Sequence, residues 1–214
     1  MPRNKYPEET VKKILDASLE LFMTKGYEQT TVLDIVNNLG GLTRGAFYHH
    51  FKSKEEVLDA LGDRIFFENN PFDKVRKETG LTGLQKVRKI MLLQMDDKEW
   101  EKINIASMPL LENPRFLAEQ VKDIQNFAAP LLKELIDEGI RDGSIQTNYP
   151  KQLTELVLII TNFWVIPSVF PCSREELMDK LLFSKELLDS IGFPVFDDEI
   201  INRLEKFADE AGIK

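Results

Sequence analysis

The segment TVLDIVNNLGGLTRGAFYHHFKSKEEVLDAL, Thr31 to Leu61, decides the fold. Thr31 offers an N-cap to a short helix whose inner face is Val32, Ile35, Val36 and Leu39, and Gly40-Gly41 closes it. Thr43 caps a second short helix, Arg44 to about His50. Phe47 and Phe51, four residues apart, share one face of it, at about 100° of rotation per residue. Ser53 and Glu56 then stand as N-cap and N3 of a capping box, opening a longer helix that carries Val57, Leu58 and Leu61. Upstream, Val11, Ile14, Leu15, Ser18, Leu21 and Phe22 keep helical spacing, and Gly26 sits at a left-handed C-cap. A first helix is therefore expected from about Glu8 to Lys25.

With the two phenylalanines turned inward, the opposite face of the second short helix presents Gly45 and His49, flanked by Ala46 and Tyr48. Small residues at its N-terminal end let the backbone approach a groove wall, and Arg44 is placed to reach a guanine edge with two parallel donors. Tyr48, His49 and His50 suit phosphate oxygens, and Lys54 adds charge at a helix N-terminus. Thr31 and Thr43, at the two helix starts, complete the set expected to face DNA. Adjacent His49 and His50 diverge by about 100° on a helix. They have no acidic or cysteine partner at helical spacing, so no metal site is expected, nor any cofactor.

Charge distribution favours this use of the segment. The chain of 214 residues carries a net charge of -8, which by itself opposes nucleic acid as a partner. Residues 1–65 hold nine Lys/Arg against ten Asp/Glu, a net of -1, which leaves -7 for the remainder. No Asp or Glu occurs between Asp34 and Glu55, an interval that holds Arg44, Lys52, Lys54 and both histidines of the protein. An acid-free window of this kind suits a polyanion.

Around residues 69–83, NNPFDKVRKETGLTG is turn-rich and sets an expected boundary between a module of residues 1–67 and a larger bundle of residues 68–214. Helical patterns cover roughly 84–95, 97–106, 115–141, 150–166, 173–191 and 197–211, so the expected fold class is all-α. Leu153 to Phe170 is apolar on nearly every side, which suits a large core or a subunit contact. Paired with Leu177, Leu181, Leu182, Leu187, Leu188 and Ile191 it forms the expected homodimer surface, about 150–191. Met91, Met95, Met108, Phe116, Phe127 and Phe163 are candidates to line an apolar pocket for a small-molecule effector, and Asn162 is a buried amide in search of a partner. Ordinary core packing is the competing reading of each.

Neither a signal-peptide core nor an apolar run long enough to span a bilayer is present, and a single cysteine, Cys172, allows no intrachain disulfide, so a cytoplasmic location is expected. A helical enzyme or small-molecule carrier is the competing class. Its carboxylates, Glu99, Glu101, Glu112, Asp123, Asp137 and Glu138, have no histidine or cysteine at catalytic spacing, so the reading is not an enzyme.

Thr31, Asp34, Ile35, Gly40, Thr43, Gly45, Tyr48, Phe51, Lys54, Glu55 and Leu58 match the pattern T-x-x-D-I-A-x-x-A-G-V-S-x-G-x-x-Y-x-x-F-x-x-K-E-x-L. This stretch resembles the N-terminal signature of the TetR family of transcriptional regulators. The resemblance covers about 50 residues and implies a helix-turn-helix module followed by a helical bundle for effector binding and dimerisation, with repression as the usual outcome. One departure stands out: Gly40-Gly41-Leu42 puts an extra residue in the turn, where the family pattern has one glycine and one aliphatic residue.

Overall fold

A computed structural model describes residues 9–41, 43–67 and 71–213, and Leu42 lies outside the described residues. Among them the chain forms helices and no strand. Helices α1 (Glu9–Thr24), α2 (Val32–Asn38), α3 (Arg44–His50) and α4 (Lys54–Phe67) come first, followed by α5 (Phe72–Val75), α6 (Gly83–Asp96) and α7 (Lys98–Ser107). After a 3-10 turn (Met108–Glu112), α8 (Pro114–Asp123) runs through a π turn (Ile124–Ala128) into α9 (Ala129–Asp142). Helix α10 (Pro150–Ile159) ends in a second π turn (Ile160–Trp164), and α11 (Arg174–Ser190) and α12 (Asp198–Glu210) follow. The helix starts carry local chemistry: capping boxes at Thr82/Gln85 and Ser173/Glu176, Pro150 in the first turn of α10, and the Asp197 carboxylate accepting from the Ile200 amide.

The chain forms two compact units, Met1–Glu68 with Ala106–Gln120, and Asn69–Ile105 with Val121–Lys214. Residues 106–120, which the sequence reading places in the larger bundle, thus pack with the first unit. The physical reason is burial: Leu110 and Phe116 belong to one apolar core with Ile14, Phe22, Ile35, Phe47, Phe51, Val57, Leu58 and Leu61. Phe47 and Phe51 are fully enclosed there, 0% exposed. The Arg64 guanidinium, itself buried, donates to Asp16, tying α4 to α1 at the rim of this core.

In the second unit α9 packs against α6 and α10, and α12 packs against α6 and α11. Its core includes Leu84, Val87, Ile90, Leu132, Leu135, Ile136, Leu153, Val157, Leu181, Leu188 and Ile200. Gly192-Phe193-Pro194 reads as a separator between helices in the sequence, yet Phe193 is buried, as are Val195 and Phe196 after it. Arg88 holds this stretch from α6: its guanidinium donates to the Val195 carbonyl at 3.2 Å and to the Pro194 carbonyl. A buried lysine, Lys86, donates to Glu138 at 2.7 Å and to the Arg76 carbonyl at 3.1 Å, so its charge is paired and hydrogen-bonded.

Helices α6 and α9 meet backbone to backbone at Gly83 and Gly139. A Cβ on Gly83 would overlap the Gly139 nitrogen and the Leu135 carbonyl oxygen. Replacing a helical glycine by alanine normally stabilises by about 1 kcal/mol. Here overlap with backbone reverses the sign, and Gly83→Ala is expected to lower stability by about 1–3 kcal/mol, measured by chemical denaturation. A variant as stable as the parent, or more so, would show that α6 and α9 have room to part.

Candidate nucleic-acid interface

The first unit shapes one exposed corner from α2, its following turn, α3 and the start of α4. At the N-terminus of α2, Thr31 and Asp34 form a reciprocal box: the Asp34 amide donates to Thr31 Oγ1 at 3.2 Å, and the Thr31 amide and hydroxyl both donate to Asp34 Oδ2, at 2.8 and 2.7 Å. Lys25 adds a donor to the same carboxylate oxygen at 2.6 Å. The Lys25 bond, then those from Thr31, hold the Asp34 carboxyl well below the usual carboxylate range. With its hydroxyl donating to Asp34 and accepting from the Asp34 amide, Thr31 caps α2.

The turn after α2 absorbs the extra residue through two glycines at positive φ, Gly40 at 54° and Gly41 at 127°. The second value lies where side chains are rarely tolerated, so the doubled glycine is a conformational requirement of this longer turn. Beyond it α3 starts cleanly, with the Ala46 amide donating to Thr43 Oγ1 at 3.1 Å. Because Phe47 and Phe51 point into the core, Thr43, Arg44, Gly45, Tyr48 and His49 are exposed, and Ala46 and His50 are half-buried. The Arg44 guanidinium lies 5.6 Å from the centre of the Tyr48 ring, and the His49 and His50 rings meet edge to face at 5.1 Å. Six of the nine residues expected at DNA, Arg44 to Ala46 and Tyr48 to His50, therefore share one short helix, with Thr43 as its cap.

Helix α4 begins at Lys54. The Glu56 amide donates to Ser53 Oγ at 3.4 Å, as the capping box requires, but the Glu56 carboxylate accepts from the Lys52 amide at 2.7 Å, one residue earlier than expected. Lys54 is more constrained than a free surface lysine. Its ammonium donates to the carbonyls of Tyr27 and Glu28, at 2.9 and 3.2 Å, and lies 4.3 Å from the Tyr27 ring centre. Tyr27 in turn donates to Glu55 Oε1 at 3.3 Å; burial, then the Glu55 charge, push the phenol above its ordinary value. Sequence reasoning passed over Tyr27, whose only signal was an aromatic residue directly after the C-cap Gly26.

The effector candidates are scattered. Phe116 is buried in the core of the first unit at 3% exposure, while Met91, Met95, Phe127, Asn162 and Phe163 lie in the second unit, on α6 and the two π turns. Met108 is half-buried in the 3-10 turn before α8. Phe127 is 37% exposed. The Asn162 amide donates to the Leu158 carbonyl and to Thr161 Oγ1, both at 3.0 Å, so its donors are satisfied within its own helix.

Helix α2, a tight turn and α3 with a polar outer face define a helix-turn-helix protein. Residues 14–61 match the profile of the bacterial regulatory proteins, tetR family. The HTH-type transcriptional regulator SrpR of Pseudomonas putida is 48% identical over 54 residues, 25% of this chain and 25% of its own length. The chain thus spans about a quarter of that relative. The uncharacterized HTH-type transcriptional regulator YhgD of Bacillus subtilis strain 168 is 25% identical over 152 residues, 69% of this chain and 78% of that protein. The crystal structure of the transcriptional regulator FadR from Bacillus subtilis in complex with stearoyl-CoA shares the fold: its TM-score is 0.63 at 16% identity, over 86% of this chain and 99% of that one. Residues 14–61 thus carry the N-terminal module of the tetR family of bacterial regulatory proteins.

The lowered pKa of Asp34 has a direct consequence for acid stability. A carboxyl that titrates below its unfolded value stabilises the fold above the unfolded range, near about 3.9, and loses that contribution as pH falls through the folded value. Asp34→Asn is expected to melt at a lower temperature than the parent at pH 7, and the gap is expected to narrow progressively below about pH 4. Thermal unfolding followed by circular dichroism at pH 7 and below about pH 4 checks this; a gap independent of pH would show that ionisation of Asp34 contributes nothing to it.

Proposed function

We propose that the protein is a sequence-specific transcriptional regulator that binds double-stranded operator DNA as a homodimer, a repressor released by a small-molecule effector held in the second unit. The observation that carries this is α3: its two phenylalanines are enclosed, and its outer face offers Arg44, Gly45, Ala46, Tyr48 and His49 within an acid-free stretch. A single seven-residue helix contacts few base pairs. Two copies about 34 Å apart on a two-fold axis multiply both affinity and specificity. Ile159, Leu182 and Phe183 support a homodimer surface over about 150–191, since they are 53%, 52% and 57% exposed while Leu177, Leu181 and Leu188 of the same region are buried.

Release by an effector follows from linkage. A ligand that binds better when the two reading helices are wrongly spaced weakens DNA binding by the same factor by which DNA weakens ligand binding. The stearoyl-CoA complex of the FadR neighbour supports an apolar ligand for the second unit here, which Met91, Met95, Phe127 and Phe163 would accommodate.

Selection from random duplex DNA by the purified protein, followed by anisotropy titration of the enriched site, tests the reading. A palindromic site is expected, and Tyr48→Ala is expected to abolish its binding; enrichment of no sequence would refute the proposal. Arg44→Ala is expected to relax preference at one base position, at a cost of about 1–3 kcal/mol. Lys54→Met is expected to weaken binding to all duplexes alike and to reduce the salt slope by about one, because its ammonium keeps its charge near the backbone while two of its donors hold the Tyr27–Glu28 turn. Equal effects of both changes on every sequence would remove Arg44 from base reading.

A further inference from the structure

The start of α8 joins the polar group around Tyr27. Arg115 Nη2 donates to Asp59 Oδ2 at 2.9 Å, and Asp59 lies one turn along α4 from Glu55, the acceptor of the Tyr27 hydroxyl. The reach of the guanidinium extends further than Asp59. The Asp59 bond is the main cause that raises Arg115 above the ordinary arginine value, with Tyr27 and Glu55 adding to it, and Arg115 in turn opposes the rise at Tyr27. Arg115 thus neutralises Asp59 one helical turn from Glu55, the acceptor of the Tyr27 hydroxyl, and the Tyr27 ring and carbonyl in turn hold the Lys54 ammonium.

The next turns of α8 rest on the same helix. A Cβ on Gly62 of α4 would come within 3.1 Å of Gln120 Nε2 and 3.7 Å of Phe116, and that Gln120 nitrogen is buried with no hydrogen-bond partner. An orphaned donor weakens a contact, and the Arg115–Asp59 pair, with side chains 50% and 42% exposed, adds little to folding stability. The contact of α8 with α4 is thus close, while its ion pair contributes little to folding stability. Helix α8 is also covalently continuous, through the π turn, with α9 of the second unit.

We propose that Arg115 is a positioning residue for DNA binding: by neutralising Asp59, whose charge otherwise repels Glu55 one turn away, it keeps Glu55 on the Tyr27 hydroxyl and so supports the Tyr27 turn and Lys54 beside the reading helix, without itself touching DNA. This rests on the DNA-binding function proposed above.

The full-length protein tests it, with the duplex enriched by the parent as the probe. Arg115→Asp is expected to raise Kd about tenfold, and to leave the thermal midpoint within about 2 °C of the parent. Arg115→Lys is expected to retain most of the affinity, and the swapped pair Asp59→Arg with Arg115→Asp to recover most of the loss. Hydrogen exchange, read without DNA, is expected to rise at the amides of residues 27–31 and 54–57 in Arg115→Asp and to return to the parent's rate in the swapped pair. Unchanged exchange and unchanged Kd would overturn the assignment, as would a loss that the swap does not restore. A large fall in thermal midpoint would make the pair structural and overturn it equally. If the parent enriches no duplex, the functional reading fails, and the exchange data still decide whether Arg115 holds the Tyr27 turn.

Discussion

Enclosure of Phe47 and Phe51 in the core built by α1, α2 and α4 governs what α3 offers to a partner. A seven-residue helix is far too short to persist in water, where isolated helices shorter than about 12–15 residues are marginal. Its Thr43 cap contributes about 1 kcal/mol, whereas each enclosed aromatic contributes about 1.5–3 kcal/mol. Burial therefore decides that α3 exists, and it also decides how α3 is turned. With both rings inward, Arg44, Gly45, Tyr48 and His49 have no direction left but outward.

The polar contacts around that core give the corner its edges. Thr31 and Asp34 close the start of α2, and Lys25 ties the end of α1 to the same carboxylate. Gly40 and Gly41 carry the chain across a turn one residue longer than the family pattern without disturbing the seat of Phe47, since both adopt positive φ. Lys54 shows how one residue serves two needs. It holds the Tyr27–Glu28 carbonyls and still brings a positive charge to the start of α4, at the end of the acid-free window.

Residues 106–120 enlarge the module that carries α3. Phe116 and Leu110 fill its core, and Arg115 reaches the acidic side of α4. The second unit solves a different problem. There α6 and α9 approach through Gly83 and Gly139, and Arg88 pins a non-helical stretch whose phenylalanines are as buried as any on a helix.

Helix positions were legible in the sequence because their determinants are local: 3.6-residue spacing of apolar side chains, Thr, Ser and Asp caps, and glycines or prolines at the ends. The expected starts at Thr31, Thr43, Ser53 and Ser173 fall where helices begin, and the outward set on α3 follows from the spacing of Phe47 and Phe51 alone. Other assignments depended on distant partners. Phe116 is an aromatic on a helix face like Phe127 and Phe163, and nothing in its neighbourhood distinguishes a residue bound for the first core. Gly192 to Pro194 looks like a separator until Arg88 holds the Pro194 carbonyl and burial encloses Phe193. Nor does the sequence name the hydrogen-bond partners of Thr31, Lys54 and Asn162. A side chain's periodicity says which way it faces, but only the fold decides which donors and acceptors have already been taken, since those partners lie up to about a hundred residues away.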